Sequence, residues 1–347
     1  MATEEVLRQA RLRFTNDKKL GITRKIIGDK FIYYDRDGEK ITDQETIDRI
    51  NKLVIPPAYK RVWISPFANG HLQATGVDGR GRKQYRYHPI WNKISQEEKF
   101  EKIMDFAKHL PKIRSTVRRH LEEPRANREK VLAAVVWLLE NTLIRVGNEE
   151  YEEENKSYGL TTLKNKHVSV SSTHNITFQF KGKSGVYHKV SIKSKKVARI
   201  IRRCREIPGQ DLFEYFDEDG KIQTIDSYDV NEYLKEITGE EITAKDFRTW
   251  GGTVLAAEAF DKLGPAEKEE DAKQNVVNTV KEVAAFLRNR PATCRKYYIH
   301  PIIIDSYHKG YILSKLDEIP KKGRYRSIDG LDNKENNTMA LLTYTLS

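Results

Sequence analysis

The sequence predicts an α+β fold: a small β-rich N-terminal domain over residues 1–90, then a larger, mainly helical domain over 91–347 that carries a small antiparallel sheet at about 160–193. Three observations lead there. A chain of 347 residues exceeds what one compact core organises, so two domains are expected. Short β-branched and aromatic runs separated by Gly and Asp turns fill the region before Pro89, and helical periodicity dominates after it. A second cluster of short strands, grouped around a Lys-Gly-Lys-Ser-Gly turn, interrupts the helices near residue 180.

In the first domain, Ile22–Ile27 and Lys30–Tyr34 read as strands joined at Gly28-Asp29. Thr42 and Glu45 form a capping box ahead of Ile47, Ile50, Leu53 and Val54, and Pro56-Pro57 ends that helix. Val62–Ile64 and His71–Thr75 read as two further strands. A glycine-rich basic turn then runs from Gly76 into the alternating segment Lys83-Gln84-Tyr85-Arg86-Tyr87. Interleaved basic and aromatic residues on an extended element suit a nucleic-acid groove, and they equally suit an exposed hairpin with solvated charges.

Helical character starts at Pro89. Ser95 and Glu98 form a second capping box, and Phe100, Ile103, Phe106, Ala107 and Leu110 supply an apolar face before Pro111. Residues 128–144 make a strongly apolar helix that ends in Arg145. Strands are expected at Thr161–Leu163, Val168–Val170, Ile176–Phe180 and Val186–Ile192, with Lys183 on the turn joining the last two. Between Lys181 and Gln210 ten Lys or Arg stand against one acid, Glu206, on a segment that includes the expected helix Lys195–Cys204. Helices follow over Asp226–Thr238, 243–263, Val276–Leu287 and Ile302–Leu316, with an acidic loop from Glu267 to Asp271.

Charge and composition narrow the function. Sixty-two Lys and Arg against 50 Asp and Glu give a net charge of +12, which favours a polyanionic partner. No stretch of about 18 apolar residues exists to span a bilayer, and the N-terminus has no signal-peptide pattern. Cys204 and Cys294 suggest no disulfide framework, and the histidines form no metal-ligand motif; neither a metal nor another cofactor is expected. Residues 288–301 set Tyr297 and Tyr298 among four cations, Arg288, Arg290, Arg295 and Lys296. A phenol near pKa 10 becomes a usable nucleophile when cations favour its ionised form. The same tyrosines also fit ordinary amphipathic packing.

Five ordered motifs then bear on function together: Arg145-Val-Gly-Asn-Glu-Glu-Tyr151, Tyr158-Gly-Leu-Thr-Thr-Leu-Lys-Asn-Lys-His167, Phe180-Lys-Gly-Lys183, Lys245-Asp-Phe-Arg248-Thr-Trp-Gly and Cys294-Arg-Lys-Tyr-Tyr298-Ile-His-Pro. Their order and spacing resemble the type IB DNA topoisomerases, in the compact poxviral and bacterial branch and most like its bacterial members. Val54-Ile-Pro-Pro57 and Gly79-Arg-Gly-Arg-Lys-Gln-Tyr85 extend the likeness over nearly the whole chain. The resemblance implies a catalytic domain of the tyrosine recombinase/topoisomerase IB type and relaxation of supercoiled double-stranded DNA through a covalent 3′-phosphotyrosyl intermediate, without ATP or metal. Tyr298 would be the nucleophile and Lys183 the proton donor. Arg145 and Arg248 would clamp the non-bridging oxygens, and Asn289 would donate to one of them from a seat that viral and eukaryotic members fill with histidine. DNA contacts would come from Arg80, Arg82, Lys83, Gln84, Tyr85, Tyr151 and Lys166, with residues 89–95 as a hinge. A monomer in the cytoplasm, associated with the nucleoid, is implied. Two rivals remain: a tyrosine recombinase or integrase, and a non-catalytic architectural DNA-binding protein. Lys245 stands where recombinases usually carry histidine, and residues 22–87 read as β-rich rather than helical.

Overall fold

The computed structural model describes residues 4–345 apart from 29, 80, 82, 126, 150, 151, 153–155 and 321–323. The chain divides into two compact units, Met1–Lys99 and Phe100–Ser347.

In the first unit, a short helix α1 (Glu4–Gln9) precedes an antiparallel five-stranded sheet of order β2-β1-β3-β4-β5. Its strands are β1 (Ile22–Ile27), β2 (Lys30–Tyr34), β3 (Lys60–Ile64), β4 (Leu72–Val77) and β5 (Lys83–Tyr87), with α2 (Gln44–Lys52) between β2 and β3. Alternation buries Ile22, Tyr33, Val62, Ile64 and Ala74 with Ile50 of α2. Asp43 rather than Thr42 caps α2, its carboxylate accepting from Thr46 N at 2.8 Å; the charged side chain sits one position nearer the orphan amides. Arg24 donates to the carbonyls of Ile55, Pro56 and Tyr59, which pins the Pro-Pro segment to β1.

In the second unit the core surrounds α4 (Arg128–Thr142), whose residues Val131 to Val136 are all fully buried. A helix apolar on every side belongs in the middle of a core. Around it lie the part of α3 (Pro89–Glu122) from Phe100 on, α5 (Lys195–Cys204), α6 (Ser227–Thr238), α7 (Ala244–Leu263) and α8 (Glu269–Phe286). The chain closes with α9 (Pro291–Tyr297), α10 (Pro301–His308) and α11 (Asn333–Thr345). A three-stranded antiparallel sheet of order β6-β7-β8 uses Val168–Val170, Asn175–Lys181 and Tyr187–Lys193.

Several expectations need correction. Helix α3 begins at Pro89, so residues 89–95 are its first turns and Ser95 lies inside it. It also runs through Pro111, because Leu110, Ile113, Val117 and Leu121 continue one buried face across the proline. Burying those side chains outweighs the ~3 kcal/mol an interior proline costs. Thr161–Leu163 is no strand: Leu160–Thr162 is a 3-10 turn, closed by Gly159 N donating to the Thr162 hydroxyl at 3.0 Å. Glu269–Asp271 are the acidic first turn of α8, where they complement the helix dipole, rather than loop. Ile302–Leu316 breaks at Gly310, whose φ of +77° ends α10 before a 3-10 segment at Leu313–Glu318. A hairpin of β9 (Glu214–Phe216) and β10 (Ile222–Thr224) was not foreseen.

The C-terminal helix is tied in by a buried ion network. Arg114 of α3 makes a bidentate pair with Glu335 at 2.8 Å for each bond and donates to Glu140 at 2.6 Å. Trp250 Nε1 donates to the same Glu335 at 3.1 Å. Removing Glu335 takes from Arg114 its bidentate partner and from Trp250 Nε1 its acceptor. Glu335→Ala is therefore expected to lower unfolding stability by about 3 kcal/mol, read from urea denaturation. A change under about 1 kcal/mol would show that the network contributes little.

Candidate active site

Four chain segments meet at the C-terminal end of α4. Leu143, with φ of +51°, turns the chain out of the helix and presents its carbonyl to Arg248 Nη1. Arg248 Nη2 donates to the carbonyl of Leu287, just past α8, at 2.8 Å. A side chain only 3% exposed thus joins the ends of two helices through backbone acceptors. Beside it, Arg145 Nη2 donates to Asn289 Oδ1 at 2.5 Å, and Asn289 is itself fixed by its backbone N donating to Ala284 O at 2.8 Å.

Tyr298 closes α9 as its C-cap. Its carbonyl packs so closely on α7 that a Cβ at Gly252 would lie 2.5 Å from it, so this position needs glycine for clearance. Thr253 Oγ1 lies 3.5 Å from the same carbonyl and accepts from His300 N at 3.1 Å, which fixes the Ile-His-Pro turn. The Arg248 guanidinium carbon stands 5.1 Å from the Tyr298 ring centroid. Burial pushes the Tyr298 phenol up, but the charges of Arg248 and Arg145, a hydrogen bond from Arg248, and Lys245 outweigh it and hold the phenol below its usual range. Burial, with Arg145 adjacent, pulls Arg248 down to about 10, so it stays charged at neutral pH. Tyr297 is 37% exposed and lies under Lys296 instead, with Nζ 5.2 Å from its ring.

Among the described residues, three buried nitrogens of this cluster have no hydrogen-bond partner: Arg145 Nη1, Arg248 Nε and Asn289 Nδ2. Leaving a buried donor unpaired costs ~1–3 kcal/mol, more when it is charged. Three together at one phenol make a donor set suited to an oxyanion.

Lys183 opens the exposed 3-10 turn Lys183–Gly185 between β7 and β8. Backbone bonds carry that hairpin toward the cluster: Tyr158 N donates to Lys181 O at 2.8 Å, and Leu160 N to Arg145 O at 2.9 Å. The two strands of chain near Arg145 approach so closely that a Cβ on Gly159 would meet Gly147 backbone at 2.5 Å. From the other side, Arg288 Nη2 donates to Lys189 O of β8 at 3.3 Å. The motif pattern did not reveal Leu143, Leu287, Gly252 or Thr253, and it gave Arg288 only as one of four cations, without its bond to β8. Their roles are backbone acceptors, clearance and anchoring, which leave only a glycine, a threonine and a charge in the sequence.

The expected DNA contacts are distributed differently. On edge strand β5, Lys83 and Tyr85 alternate onto one face. Lys83 pairs with Asp17 at 2.6 Å, and Tyr85, 48% exposed, stacks on Tyr87 with centroids 6.1 Å apart. Gln84 faces the other way and donates to Asp78 at 3.0 Å. Lys166 is exposed on the 3-10 turn Asn165–His167 of the second unit. Arg80, Arg82 and Tyr151 lie outside the described residues.

Comparison with known proteins decides the family. Residues 89–316 match the model for the eukaryotic DNA topoisomerase I catalytic core, and residues 30–78 match that for the bacterial DNA topoisomerase IB N-terminal domain. The chain belongs to the type IB DNA topoisomerases. Among relatives of this topoisomerase, DNA topoisomerase 1B of Acanthamoeba polyphaga mimivirus is 36% identical over 294 residues, 83% of this chain and 87% of the viral one. DNA topoisomerase 1B of vaccinia virus (strain Copenhagen) is 23% identical over 252 residues, 71% of this chain and 75% of its own. DNA topoisomerase 1 alpha of Arabidopsis thaliana is 26% identical over 200 residues, 57% of this chain but 21% of its own. Family membership makes the protein an isomerase that acts on DNA. No helix among the described residues is long and apolar enough to cross a membrane.

Proposed function

We propose that this topoisomerase relaxes supercoiled duplex DNA by cutting and resealing one strand through a covalent link to Tyr298. The observation that carries this reading is the convergence of Arg145 and Arg248 on one half-buried phenol, with Asn289 bonded to Arg145. The phenolic oxygen attacks the scissile phosphorus. The phenol gives up its proton, a P–O bond forms to Tyr298, the P–O5′ bond breaks, and the 5′ oxygen takes up a proton, so one phosphodiester and one phenol hydroxyl are exchanged for one phosphotyrosyl ester and one 5′-hydroxyl. Bond energy is conserved, and resealing reverses the step without ATP.

Charge grows on the non-bridging oxygens as phosphorus becomes five-coordinate, and fixed cations there contribute most of the rate. The unpaired nitrogens of Arg145, Arg248 and Asn289 supply donors of fixed geometry, in the role that a divalent metal plays in other phosphoryl-transfer sites. Lys183 delivers the proton to the 5′ oxygen, since an ammonium on a hairpin turn reaches a leaving group from outside the core. In this reading residues 91–347 are the catalytic domain and residues 1–90 the DNA-clamping one. The exposed Lys83 and Tyr85 face of β5 meets the duplex, Lys83 exchanging Asp17 for a phosphate, and the enzyme works as a monomer. Catalytic amounts of protein, incubated with supercoiled plasmid in EDTA and without ATP, are expected to yield relaxed topoisomers. Plasmid that stays supercoiled would refute the reading.

A further inference from the structure

His188 lies at the base of the hairpin that carries Lys183, and the reaction just described gives it no task. It pairs with Phe180 across β7 and β8, and the two rings stack with centroids 4.7 Å apart and 27° between planes. Only 2% of the residue is exposed. The ring presses on the turn itself: a Cβ built on Gly182 would stand 2.4 Å from His188 Nε2 and 2.7 Å from Cδ2. Gly182 has φ of −91°, a conformation open to any residue, so the close ring and not the backbone torsion calls for glycine there.

Two further observations define what this ring does. Neither ring nitrogen has a hydrogen-bond partner among the described residues, a cost that an aliphatic side chain would avoid. Burial, with Arg288, Arg145 and Arg248 facing it, pulls the imidazole down to about 4, so it adds no positive charge to the site at neutral pH. What the five-membered ring offers is shape: a flat group thin enough to fill the gap between Phe180 and Gly182. The turn beyond is closed by Gly182 N to Val186 O at 2.8 Å and Gly185 N to Gly182 O at 3.0 Å, so displacing Gly182 displaces Lys183 with it.

We propose that His188 is a positioning residue for Lys183, its ring wedged between Phe180 and the Gly182 backbone so that the turn bearing Lys183 is held in one place. The proposal rests on Lys183 being the proton donor, and its test separates the two claims. Cleavage rates are compared on ordinary DNA and on DNA with a 5′-bridging sulfur, whose thiolate leaves without an acid. His188→Ala is expected to slow cleavage of ordinary DNA by about 10- to 100-fold, the effect of an ångström-scale misplacement, and of sulfur-containing DNA by less than about threefold. Gly182→Ala, whose methyl would strike the ring, is expected to show the same selectivity. In the double variant that collision is gone, so its loss should be smaller than the product of the single losses.

Lys183→Ala is the control. Equal loss on both substrates for Lys183→Ala would remove it as the acid. Selective loss for Lys183→Ala, combined with equal loss on both substrates or no loss for His188→Ala, would overturn the positioning role. Gly182→Ala retains His188 and carries the same test should His188→Ala fail to fold.

Discussion

Tyr298→Phe is expected to abolish plasmid relaxation, with at least about a 10⁴-fold loss, while leaving duplex binding within about twofold of wild type. The substitution removes one oxygen and keeps the ring that Arg248 faces at 5.1 Å. Folding should therefore survive, and the loss reports chemistry alone. Tyr297→Phe is the matched control. Its ring is exposed beside Lys296, so relaxation should change less than about twofold. Gel assays of relaxation and of filter-bound duplex make both comparisons.

The second large effect is expected at Arg248. Arg248→Ala should slow cleavage by about 10³-fold, in line with removal of one oxyanion donor. Arg248→Lys should recover only part of this, because an ammonium cannot reach the Leu143 and Leu287 carbonyls and a phosphate together as the guanidinium fork does. The pH profile should shift as well. Arg248 and Arg145 hold the Tyr298 phenol below its ordinary range, so removing Arg248 raises it. A rate limited by tyrosinate then reaches half its maximum at higher pH in the variant than in wild type. Single-turnover cleavage across pH 6 to about 10 would show this; an unchanged profile would mean that Arg248 does not tune the nucleophile.

How far the sequence reveals this enzyme depends on which residues carry periodicity or charge. The buried helix α4 was legible because an unbroken apolar run leaves no polar face. The β1–β2 hairpin was legible from its two β-branched and aromatic runs, and the helix expected over Asp226–Thr238 is α6, Ser227–Thr238. Pro111 misled, because a local rule against proline in helices was overridden by tertiary burial on both sides of it. Thr161–Leu163 misled because strand propensity lost to a 3-10 turn closed by the Thr162 hydroxyl, which accepts from Gly159 N.

At the site, motif order brought Arg145, Arg248, Asn289 and Tyr298 forward, and those four lie in one cluster. Hidden from the sequence was how Asn289 works there. Its carbonyl oxygen accepts from Arg145, which leaves the amide nitrogen free to donate. A charged imidazolium has two donors and no acceptor, so it could not hold Arg145 in the same way. The neutral residue therefore trades charge for a bond that orients Arg145. The tie of Glu335 to Arg114 and Trp250 was hidden as well, because an ion pair and a hydrogen bond to residues far away in the chain leave no local pattern.

The most direct measurement is the identity of the covalent bond. Supercoiled DNA and enzyme are mixed in EDTA, turnover is stopped with detergent, and the DNA-linked peptide is isolated by proteolysis and sequenced. The expected product is a peptide joined through Tyr298 to a 3′-phosphate, with a free 5′-hydroxyl on the other end of the nick that a kinase labels without prior phosphatase treatment. A link through Tyr297 or to a 5′-phosphate would contradict the account, and so would relaxation that proceeds with no covalent adduct.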